Sequence, residues 1–236
     1  MEGYTYTNIF ETKGIEYLVI IAFFAILVPF WLMLNRKTKV SKLVSKTSGI
    51  ISINSIRIPQ GIFFSKNHTW AHLETNGEAK VGIDDLLFHI TGNVRVENIK
   101  NQGEFVRKGD LMTRIIHNGK KLNVFSPISG EITATNTMII DNPEQIKDDP
   151  LKQLWIYNIK PANWKAETNS YYLADEATIW MLQELTRIKD FLSAAVAKYI
   201  PEPTGIVLQD GGELLDQPLT DMPEEVWNDF QLEFLS

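Results

Sequence analysis

Two lysines beside a tight turn are the residues of this sequence best placed to do chemistry. Asn118-Gly119 lies between two runs of strand-forming residues, Asp110 to His117 and Lys121 to Phe125. Asn-Gly between such runs is the strongest short-range signal for a two-residue hairpin. Lys120 and Lys121 follow at once. A primary amine held at a rigid tip can be acylated and can then swing the attached group. The bland alternative is that the pair forms the solvated face of a surface strand. The four histidines, His68, His72, His89 and His117, titrate near neutral pH and invite a metal or acid–base reading. No carboxylate partner can be placed with them from sequence, so structural or surface roles are expected and no metal site is assigned. There is no Cys, which excludes thiol nucleophiles, disulfides and Cys-based metal sites. No phosphate-cradling Gly loop and no Ser/His/Asp arrangement with a recognisable context is present. No catalytic residue is therefore assigned, and the chain is not expected to be an enzyme.

The bulk numbers bound what can position that hairpin. A chain of 236 residues, 44% hydrophobic and 22% charged, is long enough for one or two domains with a real core. A net charge of −6 argues against nucleic acid, whose phosphates need a basic surface.

Ahead of the hairpin, Tyr17 to Leu34 contains no charged residue. At about 1.5 Å per residue such a stretch approaches the roughly 30 Å of a bilayer core, which predicts a transmembrane helix over residues 14–35. Tyr17 and Trp31 lie near its ends, where amphipathic rings favour the interface. A cleaved signal peptide fits less well, because Glu2, Glu11 and Glu16 make the start acidic and no small-residue cleavage site follows. Arg36, Lys37, Lys39, Lys42 and Lys46 crowd the following side. The positive-inside tendency then predicts a short non-cytoplasmic tail over 1–13, a basic linker over 36–50, and a single-pass protein of the inner (cytoplasmic) membrane with its C-terminal part in the cytoplasm.

From residue 51 to 164 the pattern becomes short strands with turn punctuation. Ile51 to Pro59 alternates apolar and polar residues, as a half-buried strand does. Thr75-Asn76-Gly77 marks a second hairpin, and Asp84 to Ile90 carries the N-cap acids and clustered Leu/Phe of a short helix. Further strands are predicted at Asn93 to Ile99, Gly130 to Thr135 and Leu154 to Ile159, with a helical turn opening at Asn142-Pro143-Glu144. This spacing suggests a sandwich or flattened barrel.

Several motifs in this region resemble the H-protein of the glycine cleavage system. Ile58 to Phe64 followed by His68-Thr69-Trp70 is similar to the IPxGLxYxxxHxW element of that family. Val81-Gly82-Ile83-Asp84 and Ile90-Thr91-Gly92-Asn93-Val94 resemble its VGITxxA…LGDIV stretch. Gly103 to Asp110 resembles the GxxVxxGD element shared by lipoyl and biotinyl domains. Ser126 to Glu131 resembles SPxSGE, and Asp141-Asn142-Pro143, Asp149-Pro150 and Trp155 the closing segment. The resemblance implies two small sheets around a core, with a hairpin presented at one end. The expected fold class is mainly β with added α: a lipoyl/H-protein-like β-sandwich preceded by one transmembrane helix and followed by a long amphipathic helix.

The resemblance also tests the tip. The family's lipoyl-lysine stands seven positions before the Ser of SPxSGE, in a run like ESVKAASDLYSP. Seven before Ser126 is Gly119; the family's Glu falls on Ile116 and its Ser on His117. Lys120, or less readily Lys121, could take over by a shift along the chain, but one step on a strand reverses the facing of a side chain. No cofactor is the expectation, with lipoate on Lys120 or Lys121 as the alternative.

Beyond the domain, Asp175-Glu176 open a helix within 165–200 whose stripe reads Ile179, Leu182, Leu185, Ile188, Leu192, Val196 and Tyr199. Pro201 and Pro203 stop it. Residues 201–236 have no Lys or Arg, with apolar patches at Gly205 to Leu208 and Leu214-Leu215. Pro223-Glu224-Glu225 starts a short helix carrying Val226, Trp227, Phe230 and Phe234 at helical spacing. Spaced aromatics on an acidic helix suit docking into the groove of a partner protein, or back onto the chain's own domain. The expected function is a membrane-anchored, non-enzymatic scaffold or accessory subunit of a membrane-associated complex. The alternative is a lipoyl carrier of the glycine cleavage type, shuttling aminomethyl or acyl groups.

Overall fold

The computed structural model describes residues 9–34, 49–136, 155–200, 208–209 and 213–236. The tail over 1–8, nearly all of the basic linker, the turn at Asn142-Pro143-Glu144, the motif at Asp149-Pro150, and Pro201 to Val207 lie outside them. The chain divides into two compact units, Met1–Leu43 and Val44–Ser236.

The first unit is helix α1 (Ile9–Leu34), 26 residues with Pro29 inside. The apolar side chains of Tyr17 to Trp31 are exposed on all sides. Among the described residues, however, no helix is long and apolar enough to cross a membrane. This corrects the transmembrane helix expected over 14–35, and with it the inner-membrane location and the membrane as a partner. The reason is span. The first turns of α1 bring in Glu11, Lys13 and Glu16, and the charge-free residues from Tyr17 to Leu34 rise only about 27 Å at 1.5 Å per residue, short of the roughly 30 Å required.

The second unit is mixed α/β rather than mainly β, since its helices hold nearly as many of the described residues as its strands, 48 against 51. Its strands are β1 (Ile50–Ile51), β2 (Phe63–Phe64), β3 (Thr69–Leu73), β4 (Ala79–Ile83), β5 (Arg95–Asn98), β6 (Phe105–Val106), β7 (Leu111–His117), β8 (Lys120–Phe125), β9 (Gly130–Thr135), β10 (Trp155–Pro161), β11 (Leu208–Gln209) and β12 (Glu213–Leu215). Its helices are α2 (Asp85–Thr91), α3 (Trp164–Thr168), α4 (Asp175–Tyr199) and α5 (Glu224–Phe234). One sheet runs β2-β3-β4-β10-β9-β6, a second β5-β7-β8, and a third β1-β12-β11. The core between them includes Trp70, Val81, Ile83, Met112, Ile115, Leu122, Val124, Ile132 and Tyr157. Tyr157 ties the two main sheets, its hydroxyl donating to Met112 O at 2.9 Å. The long strand expected over Ile51 to Pro59 is a correction: only Ile50–Ile51 pairs, against Leu214–Leu215 of β12. Ser52 to Ser55 then turns, with Ser55 N donating to Ser52 O.

Gly130 fits its strand for a reason of space. A Cβ there would lie 2.2 Å from Lys160 O and 2.6 Å from Ile159 Cγ2, so β9 and β10 can pair only over a bare Cα. Gly130→Ala is expected to cost about 1–3 kcal/mol or more, because a backbone carbonyl must give way. Urea denaturation checks this, and an unchanged midpoint refutes it.

On α4 the buried face is Ala177, Trp180, Met181, Glu184, Leu185, Ile188, Leu192 and Ala195. The expected stripe thus holds from Leu185 to Leu192, while Ile179 and Leu182 are exposed. Trp180 and Met181 are the larger anchors: Trp180 stacks on Tyr172 at 5.0 Å, and this turns the first half of the helix about its axis.

Candidate functional site

The hairpin forms as the Asn-Gly pair demands. Asn118 and Gly119 have φ of 49° and 87°, the left-handed pair of a type I′ turn. In register, His117 faces Lys120, Ile116 faces Lys121 and Ile115 faces Leu122. Side chains alternate along a strand, so Lys120 shares a face with the buried Leu122 and Val124. Lys121 is exposed on the other face, and its side chain makes no hydrogen bond or ion pair among the described residues.

Lys120 is not a free amine. Its Nζ donates to Thr220 O at 2.8 Å and Met222 O at 2.7 Å, and it stands 5.2 Å from the centroid of the Trp227 ring. Burial pushes its pKa below the usual lysine value, against the pull of the Asp221 carboxylate. His117 completes the clasp. It stacks on Trp227 at 6.1 Å and 14° between planes, while Nδ1 donates to Asn93 O at 2.8 Å.

The segment that holds the tip is the C-terminal one. Val226, Trp227, Phe230 and Phe234, expected to meet a groove, pack within the chain and are at most 2% exposed. Trp227 Nε1 donates to Leu219 O at 2.8 Å. Phe230 and Phe234 stack at 4.7 Å and both meet Phe191 of α4 edge-on. Strand β8 is an edge of its sheet, and Gln231 of α5 pairs with it as a strand would. Asn123 N donates to Gln231 Oε1 at 2.6 Å, and Gln231 Nε2 donates to Asn123 O at 3.2 Å. Upstream, Gln217 N and Leu219 N donate to His89 O and Ile90 O at the end of α2. There His89 lies 2.7 Å from Asp216 Oδ1 and 3.6 Å from Asp85 Oδ2. Burial alone would lower the His89 pKa; the two carboxylates outweigh it and hold it at about 9.

A second polar cluster is fully buried. His68 Nδ1 lies 2.7 Å from Asp84 Oδ2, and its Nε2 lies 3.5 Å from Glu184 Oε1, an ion-pair contact too poor to count as a hydrogen bond. Asp84 also caps α2, its Oδ1 accepting from Leu87 N at 2.8 Å. Glu184 accepts from Arg187 Nη1 at 2.7 Å. Burial would lower the His68 pKa, but Asp84 and then Glu184 raise it to about 9. His68 is thus an imidazolium shared by two carboxylates, a structural rivet joining the β-domain to α4. His72, by contrast, is a surface residue with Nδ1 2.9 Å from Gly61 O. Among the described residues, no group of His, Cys, Asp and Glu could hold a metal ion.

Sequence reasoning missed Glu184, Asp216 and Gln231. Glu184 was findable, since a stripe drawn through Trp180 and Met181 puts it on the buried face. Asp216 and Gln231 had no local signal, because their partners are more than a hundred residues away.

A lipoyl group on a lysine needs an Nζ that is free to be acylated and to move. Gly119 has no side chain and Lys120 Nζ is held by two carbonyls, so neither fits such a group in this arrangement; Lys121 alone at the tip presents an unengaged amine.

Comparison with known proteins places this geometry. The family model described as "Glycine cleavage H-protein" matches residues 62–184. The chain is similar to the "Probable glycine cleavage system H protein" of Pyrococcus furiosus, 30% identical over 118 residues, covering 50% of this chain and 87% of that protein. It is similar also to the "Glycine cleavage system H protein" of Psychrobacter cryohalolentis, 31% identical over 119 residues, covering 50% and 94%. Among solved structures, the glycine cleavage system H protein of Mycobacterium marinum matches with TM-score 0.41 and 25% identity, over 44% of this chain and 87% of that one. The segment that clasps Lys120 lies beyond the matched residues. With more than half of its length matched by the family model and its relatives covered nearly end to end, the chain belongs to the glycine cleavage H-protein family.

Proposed function

We propose that this chain is a non-catalytic accessory subunit of the H-protein type, acting by association with other proteins and not by carrying a group on Lys120. The observation that carries this reading is the engagement of Lys120 Nζ by Thr220 O and Met222 O, beneath Trp227. The relatives' names make them one component of a glycine cleavage system, which supports a role among protein partners. The chain keeps the domain of such a component while the family's lysine position is Gly119. The C-terminal segment closes the hairpin that a carrier would leave open.

The exposed, unengaged Lys121 favours one second reading, a lipoyl carrier with the attachment point moved two residues along the hairpin. Intact-mass analysis of the full chain, expressed with lipoate and a lipoylating enzyme, separates the two. The expected result is the unmodified mass. One lipoyl adduct mapped to Lys121 makes the chain a carrier, and one mapped to Lys120 also refutes the closed hairpin.

A further inference from the structure

A cavity of about 480 Å³ opens where the β2–β3 loop, the β6–β7 turn, the end of β8 and the connection from α3 to α4 meet. Lys66 and Lys108 both line it, and neither pairs with a carboxylate among the described residues. Lys108 Nζ donates to the backbone oxygen of Glu167 at 2.7 Å and stands 4.5 Å from the centroid of the Tyr171 ring. The Glu167 carboxylate, the obvious counter-ion, is already taken by Ser129 N at 2.7 Å and Ser129 Oγ at 2.5 Å. The cavity therefore holds two cations that are in no ion pair among the described residues, with Glu167 acting on Lys108 only from outside the lining. Burial pushes the Lys108 pKa down, Glu167 opposes, and the like charge of Lys66 adds to the fall.

The rest of the lining sets the flat walls of Phe125, Pro127, Tyr171 and Tyr172 among small polar side chains such as Ser65 and Ser170. It is also fixed. Tyr172 exchanges backbone hydrogen bonds with Phe64, Gly109 N donates to Ser126 O, and the Tyr171 hydroxyl donates to Pro127 O. Such a preformed hollow, apolar with a few convergent polar groups, is what small-ligand sites look like. In a chain of net charge −6, two ammonium groups outside any ion pair in one hollow define the complement. We infer that this cavity binds a small organic anion, a carboxylate or phosphate on a planar apolar body, with Lys66 and Lys108 at the anion and the tyrosine walls against the body. The site is separate from the hairpin tip and does not rest on the function proposed above.

Titration of the full chain with phenyl phosphate and with benzoate, followed by the backbone amide resonances of Gly109 and Tyr172, tests it. Saturable shifts are expected with at least one of the two anions, and which one binds distinguishes phosphate from carboxylate recognition. Benzylamine and benzyl alcohol, which keep the ring and lose the negative charge, should leave those resonances in place. The double variant Lys66→Gln/Lys108→Gln should bind about tenfold or more weakly, whereas Arg95→Gln/Lys160→Gln, an equal loss of charge at exposed positions outside the cavity, should bind as the parent does. Should the double variant not fold, the single Lys66→Gln change decides, since Lys66 is exposed. The inference falls if neither anion gives a saturable shift at millimolar concentration. It falls equally if benzyl alcohol matches the anions or if removing the lysines leaves binding unchanged.

Discussion

Trp227→Ala should destabilise the second unit by about 3–5 kcal/mol and set Lys120 free. Trp227 is 0% exposed and is held at every edge: its Nε1 by Leu219 O, one face by His117, and its ring approached by Lys120 Nζ. Truncation removes the bulk of that packing and leaves a cavity under a helix whose other hold on the hairpin is the pair of bonds between Gln231 and Asn123. For a unit of this size the loss corresponds to a fall in Tm of about 10 °C. The second effect is chemical. In the parent chain, Lys120 should react with acetic anhydride far more slowly than Lys121; in the variant the two rates should converge. Lysine-resolved mass spectrometry after brief labelling reads both. If Lys120 of the parent is labelled as fast as Lys121, the closed hairpin is wrong.

The other large effect is expected at His68. Removing one partner of a buried ion pair leaves the remaining charge uncompensated, at a cost of about 3–5 kcal/mol. His68→Leu would strand Asp84, which is 1% exposed, and leave Glu184, 4% exposed, with Arg187 as its remaining counter-ion. Asp84 would keep its role as the cap of α2, so the loss should appear mainly as release of α4 from the β-domain. The same cluster fixes a pH dependence. The folded His68 pKa is raised from 6.5 to about 9, so the folded state keeps a proton that the unfolded chain gives up. The stabilisation is fully present below pH 6.5 and is lost as pH rises through 9, by about 3 kcal/mol for a shift of this size. His89, raised likewise to about 9, pulls in the same direction at the clasp. Denaturation midpoints between pH 6 and 9.5 should fall steadily in the parent and more gently in His68→Leu. A flat parent profile would show that His68 is not charged in the fold.

Where local chemistry decides structure, the sequence was legible. Asn118-Gly119 gave the hairpin, Asp84 the cap of α2, and Pro223-Glu224-Glu225 the start of α5, because each acts within a turn of itself. Order and spacing of the SPxSGE and GxxVxxGD elements placed the family, since turns recur at set distances in that fold. What was not legible depends on contacts between distant segments. Nothing near Lys120 says that two carbonyls a hundred residues later will hold it. Ile51 to Pro59 alternates like a strand but finds only the three residues of β12 to pair with. The stripe on α4 was misdrawn at its start because Trp180 and Met181, not Ile179 and Leu182, have room on the β-domain. The membrane reading rested on apolar length, but the charged residues of the first turns of α1 leave its apolar part too short to cross a membrane. At the tip, residue types identified the right place but could not tell an offered amine from a sequestered one.

The bonds from Gln231 to β8 end on the main chain of Asn123, not on its side chain. That makes tolerance to mutation lopsided. Residue 123 can change without cost to the clasp, because every amino acid except proline offers the same N–H and C=O. Residue 231 has no such latitude, since an amide of that reach is needed to serve both groups at once, and glutamate would meet the N–H but not the carbonyl. Position 123 is therefore free to drift under the cap, whereas residue 231 and the two hairpin residues that meet the cap through their side chains, His117 and Lys120, are not.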